Sequence, residues 1–281
     1  MNGNPNHKRK GATCRKVYDF EEWGDIAKFM DETLNPQAKA MQTGQPAKRF
    51  LFRGTTDATY KLVPTVGRED SRINPWKYNR GDEKTLLRAF KLLAKPYLEH
   101  EPANELEWLA VARHHKVPTR LLDWTTSFLI ALFFAIENGG MRSVEVITED
   151  ENGKVIKRKR KSIEVPPAVY VTHGVRYCNP ASTDPFRIRQ LSFFTPPYIS
   201  PHIAAQRSVL AIHPDPRNEP RYPNLRKLRI KPDICVRLKF ILEGQGITHG
   251  SIFPTIDGLA QQLQWAYKWN LLDQYRVGRR A

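Results

Sequence analysis

The chain has 281 residues, 40% of them hydrophobic, enough for a substantial core without metal or disulfide staples. Its three cysteines, Cys14, Cys178 and Cys235, form no CxxC pair, which argues against a disulfide framework or thiolate zinc site and for reduced thiols in the cytoplasm. The formal net charge of +16 points towards phosphate-bearing partners, whereas no apolar run has the roughly 18–20 residues of a membrane span and no apolar segment follows the basic N-terminus as a secretory signal requires.

Residues 1–16 are polar and basic without periodicity and read as a disordered arm. From Asp19 the spacing of Phe20, Trp23, Ile26, Phe29 and Met30 predicts a helix that stops by Asn35-Pro36. Arg49 to Arg53 reads as a short strand broken by Gly54, with a loop to Pro75. Asp82 is the expected cap of a helix carrying Leu86, Leu87, Phe90, Leu93 and Leu98. A second helix after Pro102 carries Leu106, Trp108, Leu109 and Val111 and ends near His115. Thr125-Thr126-Ser127 then offers hydroxyl caps to the helix Phe128 to Ile136, which is apolar on every face and therefore belongs inside the fold.

Residues 141–165 read as a hairpin about the turn Asn152-Gly153, an excursion whose second strand runs into six basic residues in eight, Lys154 to Lys161. Ala168 to Thr172, Ser208 to Ile212 and the alternating Cys235 to Phe240 are expected strands, and a last helix starts after Pro254. Helices and strands do not alternate regularly. The expected class is α+β, with a central mixed or antiparallel sheet, a helical N-terminal half and one buried apolar helix. One domain is expected over residues 17–272, with a basic tail at 273–281.

Two places concentrate chemistry. Arg53-Gly54 ends a strand: the arginine fork suits a phosphate or carboxylate, and glycine admits close approach of a ligand or a neighbouring backbone. The alternative is a structural arginine paired with a core carboxylate. His114 to Ser127 gathers His114, His115, Arg120, Asp123, Trp124 and the hydroxyls of Thr125, Thr126 and Ser127. Polar groups at such a boundary either satisfy one another or bind something, because burying them unpaired costs about 1–3 kcal/mol each. Trp124 offers a flat face for stacking. Adjacent histidines without helical i, i+4 ligand spacing argue against a metal site.

Phe52-Arg53-Gly54, Trp108-Leu109-Ala110, His114-His115, the run Val117 to Thr125, Ser127 and Ala131 to Ala135 together resemble the FRG-domain family. So do Ile203 to Gln206, Gly246-Ile247, Ile252 to Pro254 and Asp257 to Leu259, and the resemblance spans residues 19–265. The chain carries Arg113 where the family usually has glutamine, Lys116 where it has glycine, and Phe128 where it has proline. A further resemblance is to arginine-type ADP-ribosyltransferases, with their strand-end arginine, Ser-Thr-Ser strand and later Glu/Gln-x-Glu. Arg53, Trp124 to Ser127 and Gln206-Arg207-Ser208 take these places in order, with Ser208 where the glutamate belongs.

That resemblance implies an ADP-ribosyltransferase-like fold with NAD or a related nucleotide as ligand. Arg53, Gly54, Trp124, Thr125, Thr126 and Ser127 would bind the cofactor, His114 and Arg120 the substrate, and Asp123, His115 and Gln206 would serve catalysis. Either another carboxylate, such as Asp123 or Asp257, would supply the charge that Ser208 lacks, or the domain would bind a nucleotide without transferring ADP-ribose. The alternative is a nucleic-acid-binding module contacting phosphates through Lys157, Arg158, Lys159, Arg160 and Lys161 and the N-terminal arm. A third reading makes the His114 stretch a structural polar network in a domain that recognises a protein partner.

Overall fold

The computed structural model describes residues 16–68, 79–149, 155–197 and 201–272. The expected arm and tail, apart from Lys16, and the turn at Asn152-Gly153 lie outside the described residues. Seven strands form one mixed sheet: β1 (Lys16–Phe20), β2 (Phe50–Thr55), β3 (Leu121–Thr125), β6 (Ala168–His173), β7 (Ser192–Phe194), β8 (Ser208–Ile212) and β9 (Arg226–Ile230), in the order β1-β9-β6-β2-β3-β8-β7. β1 runs parallel to β9 and every other neighbour is antiparallel. A separate two-stranded ribbon joins β4 (Met141–Glu149) to β5 (Val155–Glu164).

The helices are α1 (Trp23–Gln42), α2 (Arg80–Ala94), α3 (Glu105–His114), α4 (Phe128–Ile136), α5 (Pro201–Ala205), α6 (Cys235–Gly244), α7 (His249–Ile252) and α8 (Ile256–Lys268). The α+β class holds. Among the described residues, no helix is long and apolar enough to cross a membrane.

Side-chain alternation along the strands sorts the core. Phe52, Val169, Val171, Leu228 and Ile230 point to one face, where they meet α1, α4 and α6. Leu121, Leu210, Ile212 and Phe194 point to the same face further along and meet α2 and α3. The opposite face carries Leu51, Leu122, Trp124, Tyr170, Val209 and Phe193, roofed by Leu62, Tyr222 and Leu225. The helical layer is thus two packed clusters on one sheet, with a seam between them above β3.

Several local expectations change. β1 precedes the first helix, and that helix continues through Pro36 to Gln42 along a largely exposed half. Proline removes one backbone donor, so the helix forgoes a bond there rather than ending. Asn79, not Asp82, caps α2 by accepting from Gly81 N at 2.8 Å. Gly54 lies inside β2 instead of breaking it. Cys235 to Phe240 is α6, a helix: Pro232 opens a turn of 3₁₀ helix immediately before it, and Cys235, Leu238 and Leu242 are the buried positions, at helical spacing.

Candidate functional site

β2 and β3 pair at one position, Phe52 opposite Thr125, and then diverge. Continuing that register would set Arg53 opposite Trp124, on the loop-covered face with Tyr170. Asp123 is one residue further along β3, so its side chain turns to the helical face with Leu121. Arg53 bridges the divergence. Its Nη1 donates to the Asp123 carbonyl at 2.6 Å and lies 3.9 Å from Asp123 Oδ2.

From the helical side, Arg113 at the end of α3 donates from Nη2 to the same Oδ2 at 2.5 Å. Asp123 therefore sits between two guanidinium groups at the bottom of the seam, yet its side chain keeps 44% of its surface accessible, against 15% for Arg53 and 21% for Arg113. Asp123 is thus a carboxylate on a central strand that stays partly open to solvent.

Burial alone would raise the Asp123 carboxyl; Arg113 and Arg53 more than offset it and hold it below the ordinary carboxylate range, so it is ionised at neutral pH. Burial, with Arg113 and Arg68 nearby, brings Arg53 down to about 10 although Asp123 pulls the other way. The Nε atoms of both Arg53 and Arg113 are buried without a hydrogen-bond partner. Each guanidinium thus keeps one buried donor unsatisfied beside a partly accessible carboxylate.

A histidine group lines the same seam. The His114 ring lies 4.9 Å from that of His115 and 4.7 Å from that of His202 on α5, and His202 in turn lies 6.1 Å from Phe253. Burial and the two neighbouring histidines push His114 down to about 4 despite Asp123, leaving it neutral at physiological pH.

Residues 48–142 match the family model of the FRG domain. The chain contains an FRG domain over these residues. The matched segment runs from the start of β2 to the root of the β4–β5 ribbon, and so contains Arg53, Arg113, Asp123 and all of α4. Neither the curated proteins nor the solved structures contain a match to this chain.

The three expected motif segments fall on or next to the neighbouring strands β2, β3 and β8, the first two inside the FRG domain and the third beyond it. Thr125 pairs with Ser208, and Thr126 N donates to Arg207 O at 3.2 Å. Gln206 leads into β8 and donates to the Ile252 carbonyl at 3.4 Å. Asp257 is exposed in the first turn of α8, so of the two carboxylates considered for the missing charge, Asp123 is the one beside Arg53.

Other residues are spent on the fold. A Cβ at Gly54 would overlap the Ala131 carbonyl oxygen and stand 2.6 Å from Ala135 N, so the backbone that approaches this glycine is α4. Trp124 is 2% exposed, between Phe193 and Tyr222, and presents no free face for stacking; its Nε1 faces Tyr222 without a hydrogen bond of normal geometry. Arg120 is fully buried: Nε and Nη2 donate to Glu83 at 3.0 and 2.7 Å, Nη1 donates to Pro185 O, and the guanidinium covers Phe186 at 4.6 Å. It pairs with Glu83, not with Asp123, and has no access to a substrate. Thr125 Oγ1 accepts from Ser127 N, and Ser127 caps α4, leaving Thr126 as the exposed hydroxyl.

Sequence reading assigned no role to Arg113 beyond its departure from the family pattern, and missed His202 altogether. Arg113 sits ten residues before Asp123 on a different element. His202 is 79 positions beyond Asp123 in sequence, and no spacing rule connects them. Lys116, at the family's glycine position, adopts φ +64°, the left-handed region that favours glycine.

Proposed function

We propose that the seam around Asp123 binds the phosphates of a nucleotide, NAD or a related dinucleotide, and that the FRG domain is an ADP-ribosyltransferase-like module. The observation that carries this reading is the pair of unpartnered, buried Nε donors of Arg53 and Arg113 beside an accessible carboxylate. The arrangement of the arginine, hydroxyl and Gln206 segments on three adjacent strands supports it. The donors suit a diphosphate. Gly54 and Trp124 contribute no contact surface, so base or nicotinamide recognition falls to groups on the helical side, with exposed His115 and Thr126 the nearest candidates in sequence.

In this reading the ionised Asp123 takes the role of the carboxylate that Ser208 cannot fill, stabilising positive charge at the ribose carbon as the nicotinamide bond breaks. Calorimetry with NAD, ADP-ribose and inorganic phosphate tests binding, and chromatography of released nicotinamide tests turnover. Binding of NAD by the wild type and not by Arg53→Ala is the expected result. Absence of binding to any of the three would remove the nucleotide reading.

A second reading, nucleic-acid binding, is supported by a different observation: the β4–β5 ribbon stands outside the main sheet and concentrates cations on one strand.

A further inference from the structure

α4, α6, α7 and α8 enclose a small pocket that shares no lining residue with the Asp123 seam. Phe133, Leu242, Ile247 and Trp265 form its apolar walls. It holds about 30 Å³ and opens to solvent on one side. One water needs about 10–15 Å³, so the space takes a few heavy atoms and no more. Two polar atoms in its wall, Oε2 of Glu243 and Nδ1 of His249, are buried without a hydrogen-bond partner. Native interiors leave few such atoms, so two in one small pocket call for a third group.

The charges in the wall are not balanced. Lys239, one turn before Glu243 on α6, lines the pocket but donates from Nζ to the Glu137 carbonyl at 2.5 Å. Burial raises the Glu243 carboxyl, and no neighbouring charge among the described residues opposes that rise. Burial, with Lys239 nearby, pushes His249 down, so its ring is neutral at physiological pH and Nδ1 is free to accept. The rim is already ordered. Thr248 Oγ1 accepts from Ser251 N at 3.1 Å and donates to Gln262 Oε1 at 2.9 Å, and Gly250 N donates to the same Oε1 at 3.2 Å. These bonds fasten the start of α7 to α8, and the His249 ring stands edge-on to Phe133 at 5.0 Å.

We propose that this pocket binds an organic cation, a guanidinium or primary ammonium head on a short alkyl stem. The head donates to Glu243 Oε2 and His249 Nδ1, and its charge lies against the indole of Trp265. The stem leaves along Leu242 and Ile247 through the open side. With Lys239 engaged at Glu137, the unpaired Glu243 disfavours a carboxylate or phosphate ligand. A water in the pocket would satisfy the same two atoms, but it would give no discrimination by charge.

Saturation-transfer NMR on the full chain tests this with butylguanidinium and butylammonium, and with butanol and butyrate as uncharged and anionic controls. The expected result is binding of at least one cation, with both controls weaker by about tenfold or more. The tighter of the two cations identifies the head. Glu243→Gln should weaken the cation by about tenfold or more and leave butanol unchanged. With fluorotryptophan incorporated, the Trp265 fluorine resonance, assigned by its loss in Trp265→Phe, should shift on titration. That of buried Trp124 should stay in place. This second measurement uses the unaltered pocket and decides the matter even if Glu243→Gln does not fold. Failure of both cations to bind, butanol binding as tightly as they do, full cation affinity in Glu243→Gln, or a Trp265 resonance that does not move overturns the proposal.

Discussion

Arg53 donates through the divergence of β2 and β3 to the main-chain carbonyl of Asp123, 70 residues away, while Arg113 holds the carboxylate of the same residue from the helical side. One aspartate thus joins three elements through two chemically different contacts. Removing the Arg53 fork leaves a carbonyl unserved and the carboxylate with one cation. Arg53→Ala should destabilise the fold by about 1–3 kcal/mol and abolish anion binding, and Arg53→Lys should restore charge without restoring the fork. Urea denaturation alongside phosphate or NAD calorimetry distinguishes the two losses; full ligand affinity in Arg53→Ala would place the site elsewhere.

The Glu83–Arg120 pair is fully buried and fully hydrogen-bonded. Truncating one partner strands the other's charge. Arg120→Met alone should cost about 3–5 kcal/mol. The double variant Glu83→Gln, Arg120→Met should cost less than the sum of the single changes, because the charge left behind is also removed. Additive losses in a double-mutant cycle would contradict this.

Gly54→Ala places a methyl group where α4 already lies, with backbone atoms that cannot swing aside. A loss of at least about 1–3 kcal/mol is expected, with the same change in Tm by circular dichroism and calorimetry. A neutral outcome would mean that α4 does not approach β2 this closely in solution.

Lys116 holds a left-handed backbone with a side chain attached. Lys116→Gly should raise stability by about 1 kcal/mol, relief of the left-handed strain being partly offset by greater freedom of the unfolded chain. Chemical denaturation reads this directly, and the variant also removes a cation two residues from His114 without touching Asp123.

His213 is fully buried, its Nε2 2.8 Å from the Tyr222 hydroxyl, and burial followed by the charge of Arg53 pushes it down to about 3. The unfolded chain takes up this proton near pH 6.5 and the folded chain does not until about pH 3. Stability therefore falls as pH drops from 6.5 towards 3, with a slope from this one group of at most ~1.4 kcal/mol per pH unit. His114, down to about 4, adds to the slope in the same direction. Depressed carboxyls such as Asp57 act in the same direction at lower pH, losing their contribution as pH falls through their folded values. Denaturation at a series of pH values should show the decline, and His213→Gln should flatten part of it.

Sequence patterns were informative where one physical demand dominates. Phe128 to Ile136 is apolar all round and can only be a buried helix; Arg49 to Arg53 is a short apolar run between arginines that reads as a strand; the hairpin follows from β-branched runs about Asn152-Gly153. Val236-Arg-Leu-Lys-Phe240 deceived because short alternation fits a strand as well as two turns of helix, and Pro232 with Leu242 decides it only when the longer span is considered. The site was half visible. Arg53 and Asp123 stood out by type and position, whereas burial of Trp124 and Arg120 depends on partners, Tyr222 and Glu83, that no local pattern brings near.

The divergence of β2 from β3 makes the seven-stranded sheet two rafts, β1-β9-β6-β2 and β3-β8-β7, moored at the Phe52–Thr125 pair and by the Arg53 fork. A ligand that engages that fork competes with the Asp123 carbonyl for its donors. Occupancy of the seam and the angle between the rafts are then linked variables: whatever widens the gap favours the ligand, and the ligand favours the wider gap. Amide exchange along the facing edges of β2 and β3 would report binding without any label on the ligand.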